Sequence, residues 1–404
     1  MIVTLIIFLL ILSVLVLIHE AGHYFVAKKF GMKVEEFGFG FPLTPPLWQM
    51  KKGETVYSFY PVLIGGFVKL YGEDEAGAGR IDVGKKKAAA HPKDEDRAFY
   101  ARPFGQKFLV VVAGVVMNAL LAALIYYVFL GMSGWKQDLP LIGNPTFVGV
   151  NEKVTTQVVI SEISKNSPAA AAGIAPFSTV ETINGQKIAQ ADAFEKAIKA
   201  NIGTPMTLAW KDEKNVQHHA TIVPRVHPPK NEGALGVAFY PNRTVSLAYA
   251  TPTQKLFSGF VHPANLMGYN FVILGDLINI SIKEKSVNPI KPAVSGPVGI
   301  GFVVGSLVSI PDSRERFLAL LNLAGLLSIS LAFMNVLPIP GLDGGRLFFI
   351  IIEAVIRRKI NPKVEGYIHA AGMVVLLLLI ALVTVNDVQT HSQDILSYFG
   401  KLFR

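Results

Sequence analysis

The sequence VLIHEAGHYFVAKKF, residues 16–30, places two histidines and a glutamate at the end of an apolar run. The run starts at Ile2 and carries no charge as far as Ile18, which approaches the roughly 20 residues that a helix needs to cross the hydrocarbon core of a bilayer. Because no basic residue precedes the run and no small-residue cleavage motif follows it before His19, we expect a retained transmembrane helix at 1–30 rather than a signal peptide.

The spacing His-Glu-x-x-His is typical of a zinc site on a helix. Residues four apart share one helical face, so His19 and His23 can each direct one ring nitrogen at the same ion. Glu20 is turned by about 100° from His19, and a carboxylate in that position reaches a metal-bound water as general base. Ionisable groups within a span cost at least ~2.5 kcal/mol each and usually serve function. A polar kink at the membrane edge is the alternative.

A catalytic zinc site usually has three protein ligands and a water, so one ligand is missing. The stretch NVLPIPGLDGGRLFF, residues 335–349, offers Asp343 where prolines and glycines break an apolar run. Irregular backbone at membrane depth is tolerated where it lines protein or a water cavity. Asp343 could instead cap the helix that follows, but the presence of the histidine pair favours a ligand. Asn335, beside the same break, could bind a substrate backbone or oxyanion, or pack between helices.

Three further apolar runs predict spans at 104–132, 317–350 (with the Leu-Asp-Gly-Gly motif) and 366–386, followed by a tail at 387–404. Basic residues gather between the first and second spans and between the third and fourth. The positive-inside rule therefore puts 31–105 and 341–365 in the cytoplasm, and the N-terminus and 133–315 outside. Arg314 and Arg316 disagree with this pattern.

Composition supports a polytopic membrane protein. The chain has 404 residues, of which 51% are hydrophobic, and its net charge is +9. We attribute that charge to the cytoplasmic bias of a membrane protein, because no helix-turn-helix, zinc-knuckle or aromatic-basic RNA motif occurs, and we expect lipid but no nucleic acid as a partner. Cysteine does not occur, which excludes disulfides, thiolate metal ligands and a thiol nucleophile.

The regions between the spans divide into four parts. Region 31–103 contains short strands and hairpins at 34–71, lying against the membrane, and a polar loop at 72–98 that we expect to be mobile. A compact α+β unit is predicted at 146–240, with an Asn-Gly turn in VETINGQKI. Segment 241–316 contains 256–283, which we expect to form an amphipathic helix at the membrane surface.

The pairing of HEAGH in the first span with NVLPIPGLDGG after the third resembles the site-2 protease family of intramembrane zinc metalloproteases, and the arrangement looks most like its RseP-type members. The segments FGFGFP, LIGGFVKL, RAFYARPFGQKFLVVVAGVVMN and VSGPVGI are similar to that family in the same order. The resemblance implies one Zn²⁺ ion held by His19, His23 and Asp343, with Glu20 as general base and acid. It also implies a membrane-associated β-hairpin region that pairs with unwound substrate, and substrate contacts at Gly65, Gly66, Phe67 and Asn335.

By the same resemblance, the chain is a zinc metalloendopeptidase that cleaves transmembrane segments of single-span membrane proteins. Anti-sigma factors and remnant signal peptides are the substrates that the family implies, in regulated intramembrane proteolysis of the kind used in stress responses. The implied location is the bacterial cytoplasmic (inner) membrane.

The external unit resembles a PDZ domain. The segments SPAAAAGI and VETINGQKI match that family's signature, but PFST, residues 176–179, stands where the family usually has Pro-Gly-Asp. The fold implied for the whole chain is therefore a polytopic α-helical membrane protein with about four transmembrane helices, a β-hairpin region and one extracytoplasmic α+β PDZ domain. The family role of that domain is to gate substrates, by strand addition of a ligand that the sequence does not identify.

Two other functions are compatible with parts of the sequence. A non-enzymatic membrane adaptor with a structural zinc site would need no general base, so Glu20 argues against it. A zinc or proton transporter would need ionisable residues on several spans. The apolar run of the second span, 108–132, has none, and the fourth span has only His369, which we interpret as an interfacial residue.

Overall fold

The computed structural model describes residues 2–73, 92–286, 288, 295–358 and 360–390. The chain divides into two compact units. One comprises Met1–Ser133 and Lys255–Arg404, and the other Gly134–Gln254. The helices of the described chain are, in order, α1 (Ile2–Lys29), α2 (Phe104–Met132), α3 (Pro168–Ala171), α4 (Ala191–Ala200), α5 (Pro252–Glu284), α6 (Pro297–Val308), α7 (Ser313–Val336), α8 (Asp343–Ile356) and α9 (Pro362–Thr390).

Helices α1, α2, α7 and α9 are long and apolar enough to cross a membrane, and no other helix in the described ranges is. This confirms the predicted number of spans. Helix α9 continues to Thr390, past the predicted end at 386, and the rest of the predicted tail, 391–404, lies outside the described residues. Helix α6 has 12 residues, too few to span.

Hydrogen bonds at the start of α7 account for where this helix begins and for the position of a basic residue beside the end of α2. Helix α7 starts after Asp312, whose carboxylate accepts a hydrogen bond from the Glu315 N–H at 2.7 Å as an N-cap. Arg314, which disagreed with the charge pattern, donates to the carbonyl of Met132 at the C-terminus of α2, where a cation is favoured.

The predicted third span, 317–350, consists of two helices, because the chain breaks between Val336 and Asp343. Pro338 and Pro340 cannot continue the helix, since proline lacks the backbone N–H. Gly341 then adopts φ +97°, in the region that favours glycine. The turn is tight: a Cβ on Gly344 would overlap the carbonyl of Leu337. The break therefore brings Asp343 to the first turn of a new helix.

The predicted strands of segment 34–71 form a four-stranded sheet beside α1. Its strands are β1 (Val34–Phe41), β2 (Trp48–Lys52), β3 (Thr55–Phe59) and β4 (Val62–Leu70), in the spatial order β2-β3-β1-β4. Strand β1 pairs in parallel with β3 and antiparallel with β4. Strand β4 is thus an edge strand, with one row of backbone N–H and C=O groups unpaired within the sheet.

The predicted mobile loop, 72–98, is only partly within the structure, because 74–91 lie outside the described residues. Its last residues form a short 3-10 helix, Pro92–Arg97, that ion pairs hold against the sheet region. Lys33 Nζ lies 2.7 Å from Asp94 Oδ2, and Arg97 Nη1 lies 2.7 Å from Glu54 Oε2. This end of the loop is therefore ordered.

The predicted amphipathic segment 256–283 forms part of helix α5, which is not among the helices that could cross a membrane in the described chain. This helix contacts two of the spanning helices. A Cβ on Gly259 would overlap the carbonyl of Ala123, in the middle of α2. Further along, the ring of Phe271 lies 4.9 Å from that of Phe333, near the end of α7. Three polar residues in the first half of α5, Ser258, His262 and Asn265, are buried, whereas Asn270 and Asn279 are exposed.

The second unit is an α+β fold with strands β5 (Lys136–Pro140), β6 (Asn151–Ile163), β7 (Thr179–Ile183), β8 (Gln186–Lys187), β9 (Met206–Lys211), β10 (Gln217–Ile222) and β11 (Val237–Ala248). The sheet order is β10-β9-β7-β6-β11-β5, with β8 paired to β7 through the expected Asn184-Gly185 turn. The unit is wider than the predicted 146–240, because β5 pairs with the second half of β11.

Candidate active site

Three side chains from α1 and α8 converge on one point. Nε2 of His19 lies 2.9 Å from Oδ2 of Asp343, and Nε2 of His23 lies 3.2 Å from the same oxygen. The two Nε2 atoms are 3.2 Å apart. The histidines are one turn apart on α1, and the break before α8 places the aspartate opposite them. The structure therefore brings together the three predicted metal ligands.

The distances fit a zinc ion. Ligands about 2.0–2.1 Å from a tetrahedral zinc lie about 3.3 Å from one another, close to the three separations above. Asp343 Oδ2 is buried and receives no well-directed hydrogen bond from the described part of the chain, although both imidazoles are near. Two imidazole nitrogens and a carboxylate oxygen pointing at a common centre are a donor set that zinc binds. The residues present therefore suit the ion that the sequence predicts.

Helix α2 orients the two imidazoles. Nδ1 of His23 donates to the carbonyl of Val110 at 2.8 Å, which leaves Nε2 with its lone pair toward the centre. Nδ2 of Asn118 lies 3.3 Å from Nδ1 of His19. When Nε2 of an imidazole binds a metal, Nδ1 carries the proton, and a 180° turn of the Asn118 amide would bring Oδ1 into position to accept it. A Cβ on Gly114 would overlap both rings, so only glycine fits there.

Asn118 lies in the predicted second span, where a polar side chain favours packing between helices, and the structure shows that it contacts His19. The sequence contains a signal for a functional face here, because Gly114 and Asn118 are four residues apart and lie on one face of an otherwise apolar helix. The hydroxyl of Ser328 in α7 donates a hydrogen bond to the backbone carbonyl of Asn118 at 2.8 Å, and this bond joins the third span to α2.

Glu20 faces a cavity of about 200 Å³ next to the three ligands. It makes no hydrogen bond to any described residue, and its Cγ lies 3.2 Å from the place that a Cβ of Gly66 would occupy. The carboxylate is thus open to a water or substrate atom beside the metal centre. The cavity is lined by Glu20, His23, Phe41, Gly66, Phe67, Val68, Leu70, Glu73, Val110, Val111, Gly341, Leu342, Asp343, Arg346 and Met373.

Strand β4 contributes one wall of the cavity, through Gly66, Phe67, Val68 and Leu70. Two of the four predicted substrate-binding residues therefore line this cavity. Gly66 and Phe67 line the cavity, whereas Gly65 (φ +105°) and Asn335, in the last turn of α7, are not among its lining residues.

Two residues at the site were not predicted from the sequence. Arg346, one turn after Asp343, donates to the carboxylate of Glu73 just after β4, and both line the cavity. The side chain of His369 is buried within the protein, and its Nδ1 accepts a hydrogen bond from the N–H of Gly341 at 3.0 Å. These contacts fix α8 and the preceding loop relative to β4 and α9.

Comparison with known proteins agrees with this arrangement. A sequence profile described as Peptidase family M50 matches residues 7–379. A protein of Clostridium perfringens, provisionally named a zinc metalloprotease, is 31% identical over 385 residues, covering 94% of this chain and 97% of that protein. The regulator of sigma-W protease RasP of Bacillus subtilis is 27% identical and the match covers 96% of this chain and 98% of RasP. Metalloprotease MmpA of Caulobacter vibrioides is 26% identical, with 98% and 97% covered.

The matched range includes both histidines, the glutamate between them and the distant aspartate, and the described chain has four helices that can cross a membrane. This chain therefore belongs to peptidase family M50, the site-2 protease family, and is a membrane-bound zinc metalloprotease.

Proposed function

We propose that this chain cleaves peptide bonds within transmembrane segments of single-span membrane proteins. The observation that carries the proposal is the position of the metal centre: two ligands and the candidate base lie on α1, an apolar helix long enough to span a membrane. A protease that acts only on soluble peptides has no need for polar groups at a depth where they are costly.

The chain's own residues divide the chemistry between them. His19, His23 and Asp343 would hold zinc, which when bound polarises the scissile carbonyl and lowers the pKa of water to about 7. The open carboxylate of Glu20 accepts the proton of the attacking water and returns it to the leaving amine nitrogen. Gly66 of β4 approaches the Glu20 side chain closely, since a Cβ there would lie 3.2 Å from Glu20 Cγ, so the base stands beside the strand that we expect to bind substrate.

A transmembrane helix must unwind before it can be cleaved, because all its amides are bonded internally. Strand β4 offers an unpaired edge along the cavity, so an extended substrate can recover backbone hydrogen bonds by adding as a strand. Gly66 and Phe67 would contact that strand directly. Gly65 allows the backbone to turn, and we assign Asn335 to a more distant segment of substrate.

The name of one relative supports a proposal for the substrate class. The Bacillus subtilis relative carries the name of a sigma-W regulator. We assign to this chain anti-sigma factors or remnant signal peptides as substrates in a bacterial cytoplasmic membrane. In this arrangement the N-terminus and the 134–254 unit are outside the cytoplasm. That unit would act as a PDZ domain that gates substrates by strand addition.

The test uses the full chain in proteoliposomes with a single-span peptide carrying a fluorophore at each end. The wild type should cleave within the span, and Glu20→Gln should lower the rate by at least about 10³-fold while it retains zinc. Glu195→Gln, on an exposed face of α4, is the matched control and should cleave normally. Normal cleavage by Glu20→Gln would reject the role of Glu20. Zinc binding without cleavage by the wild type, across several substrates, would favour the adaptor.

A further inference from the structure

A second cavity, of about 410 Å³, lies between the start of α2 and the end of α8, away from the metal centre. It is an open groove, and nothing in the proposed chemistry uses it. Its wall consists of Tyr100, Ala101, Arg102, Pro103, Phe104, Lys107, Ile350, Glu353, Ala354, Arg357 and Arg358. Four of these side chains are cationic and one is anionic.

The positive charge of the groove is not neutralised by the chain. Lys107 Nζ lies 3.0 Å from Glu353 Oε2, so the one carboxylate among the described lining residues is already paired. Within the described residues, no carboxylate lies within 4.0 Å of Arg102, Arg357 or Arg358. Nε of Arg102 is buried without a hydrogen-bond partner in that part of the chain, although its Nη2 donates to the Gly31 carbonyl at 3.0 Å. Three guanidinium groups therefore have free capacity to bind an anion.

Three basic residues outside the groove, in contrast, each have a carboxylate partner within the chain. Lys28 pairs with Glu54 at 2.6 Å, Lys33 with Asp94 at 2.7 Å, and Arg97 with Glu54 at 2.7 Å. Arg102, Arg357 and Arg358 instead share one concave site, where the described residues offer them no carboxylate partner.

The groove adjoins a surface suited to hydrocarbon. Two aromatic side chains of its own wall are exposed, Tyr100 at 48% and Phe104 at 44%; on another face of α8, outside the groove wall, Val355 is 76% and Ile351 is 41% exposed. The groove also lies where the spanning helix α2 begins. A soluble anion would match the guanidinium groups but not the large apolar side chains beside them. An amphiphile with an anionic head and acyl chains matches both.

We propose that this groove binds the head group of an anionic phospholipid. Guanidinium groups bind phosphate oxygens through paired N–H donors, and basic pockets between membrane helices are suited to phosphate-bearing head groups. The acyl chains would lie along Tyr100 and Phe104. Because α8 begins at Asp343, the bound lipid would anchor the far end of the helix that carries a metal ligand. The proposal does not depend on the identity of the protease substrate.

The test measures lipid selectivity of the full chain. The protein is placed in phosphatidylcholine bilayers with spin-labelled phosphatidylglycerol or spin-labelled phosphatidylcholine, and the immobilised fraction of each is compared. Arg357→Gln/Arg358→Gln removes two groove charges from exposed positions, and Lys51→Gln/Lys52→Gln removes two exposed charges from β2. Zinc content and thermal unfolding check that each variant is folded.

The wild type should prefer phosphatidylglycerol, and the groove variant should bind it about 25-fold more weakly, at roughly 5-fold per charge. The β2 variant should keep the preference. Equal losses in both variants would show a general surface-charge effect and overturn the proposal. An unchanged preference in the groove variant would also overturn it, and would leave Arg357 and Arg358 with only a helix-terminal role. Displacement of the lipid by added inorganic phosphate would identify a soluble anion as the ligand and contradict the lipid assignment.

Discussion

His369 of α9 accepts a hydrogen bond at Nδ1 from the backbone N–H of Gly341, two residues before the metal ligand Asp343. The distance is 3.0 Å, and the imidazole is buried against Phe349 of α8. The fourth span thereby holds the turn that presents the aspartate. Its role is positional, since His369 is not one of the three side chains that meet at the metal centre.

Replacing His369 with alanine should weaken zinc binding about tenfold, because the N–H of Gly341 loses its acceptor and the turn becomes less defined. His369→Asn places an amide oxygen near the former Nδ1 and should retain most of the affinity. Zinc affinity measured against a chromophoric chelator distinguishes the two variants. Equal losses in both would mean that His369 acts through packing alone.

Gly114→Ala should abolish stable zinc binding, because the added Cβ overlaps the rings of His19 and His23. Gly105→Ala is the matched control on the same helix, since a Cβ there meets nothing within 4 Å. The control should be as stable as the wild type or slightly more so, by about 0.5–1 kcal/mol. Zinc content of the two purified variants is the measurement, and full occupancy in Gly114→Ala would contradict the described packing.

The ion pair between Arg346 and Glu73 joins α8 to the chain after β4. Arg346→Glu and Glu73→Arg should each lower the free energy of unfolding by about 3 kcal/mol, because each leaves like charges together in a largely buried place. The double reversal should recover part of that loss, which thermal unfolding would show as a shift back toward the wild-type midpoint. Additive losses in the double variant would mean that the two residues act independently.

Much of the metal site could be predicted from the sequence, because its signals are local. The spacing of His19 and His23 encodes one helical face, and the prolines and glycines before Asp343 mark a break. Hydropathy located four spans for the same reason. These patterns need no knowledge of what the rest of the chain contacts.

The remaining features depend on contacts between distant parts of the chain. Asn118 and His19 are 99 residues apart, and Arg346 and Glu73 are 273 apart. The spacing of Gly114 and Asn118 marks one face of α2, but no local pattern identifies which distant residue that face contacts. The parallel pairing of β1 with β3 and the path of α5 along α2 are hidden for the same reason.

Glu54 should make stability depend on acidic pH. The hydrogen bond from Arg97, and then that from Lys28, lowers the pKa of Glu54 from 4.5 to about 2. A lowered carboxyl pKa gives stability that is fully present above pH 4.5 and is lost as the pH falls toward about 2. Glu54→Gln should therefore lower the free energy of unfolding by about 1 kcal/mol at neutral pH, a small effect because solvent screens the partly exposed pair. It should also make the free energy of unfolding depend less on pH between 4.5 and about 2.

Thermal unfolding of wild type and Glu54→Gln across this pH range is the measurement. The exposed pair of Glu195 with Lys199 on α4 provides the control, and Glu195→Gln should change the pH profile little. Parallel profiles for the wild type and Glu54→Gln would contradict the assignment.

The central claim is that one zinc ion is shared by α1 and the start of α8, and X-ray absorption at the zinc edge of the purified full chain tests it most directly. The account predicts one zinc per chain with two imidazole nitrogens and oxygen ligands at about 2.0–2.2 Å, and loss of the ion in Asp343→Ala. A spectrum with no imidazole scattering, or an unchanged spectrum and zinc content in Asp343→Ala, would contradict it.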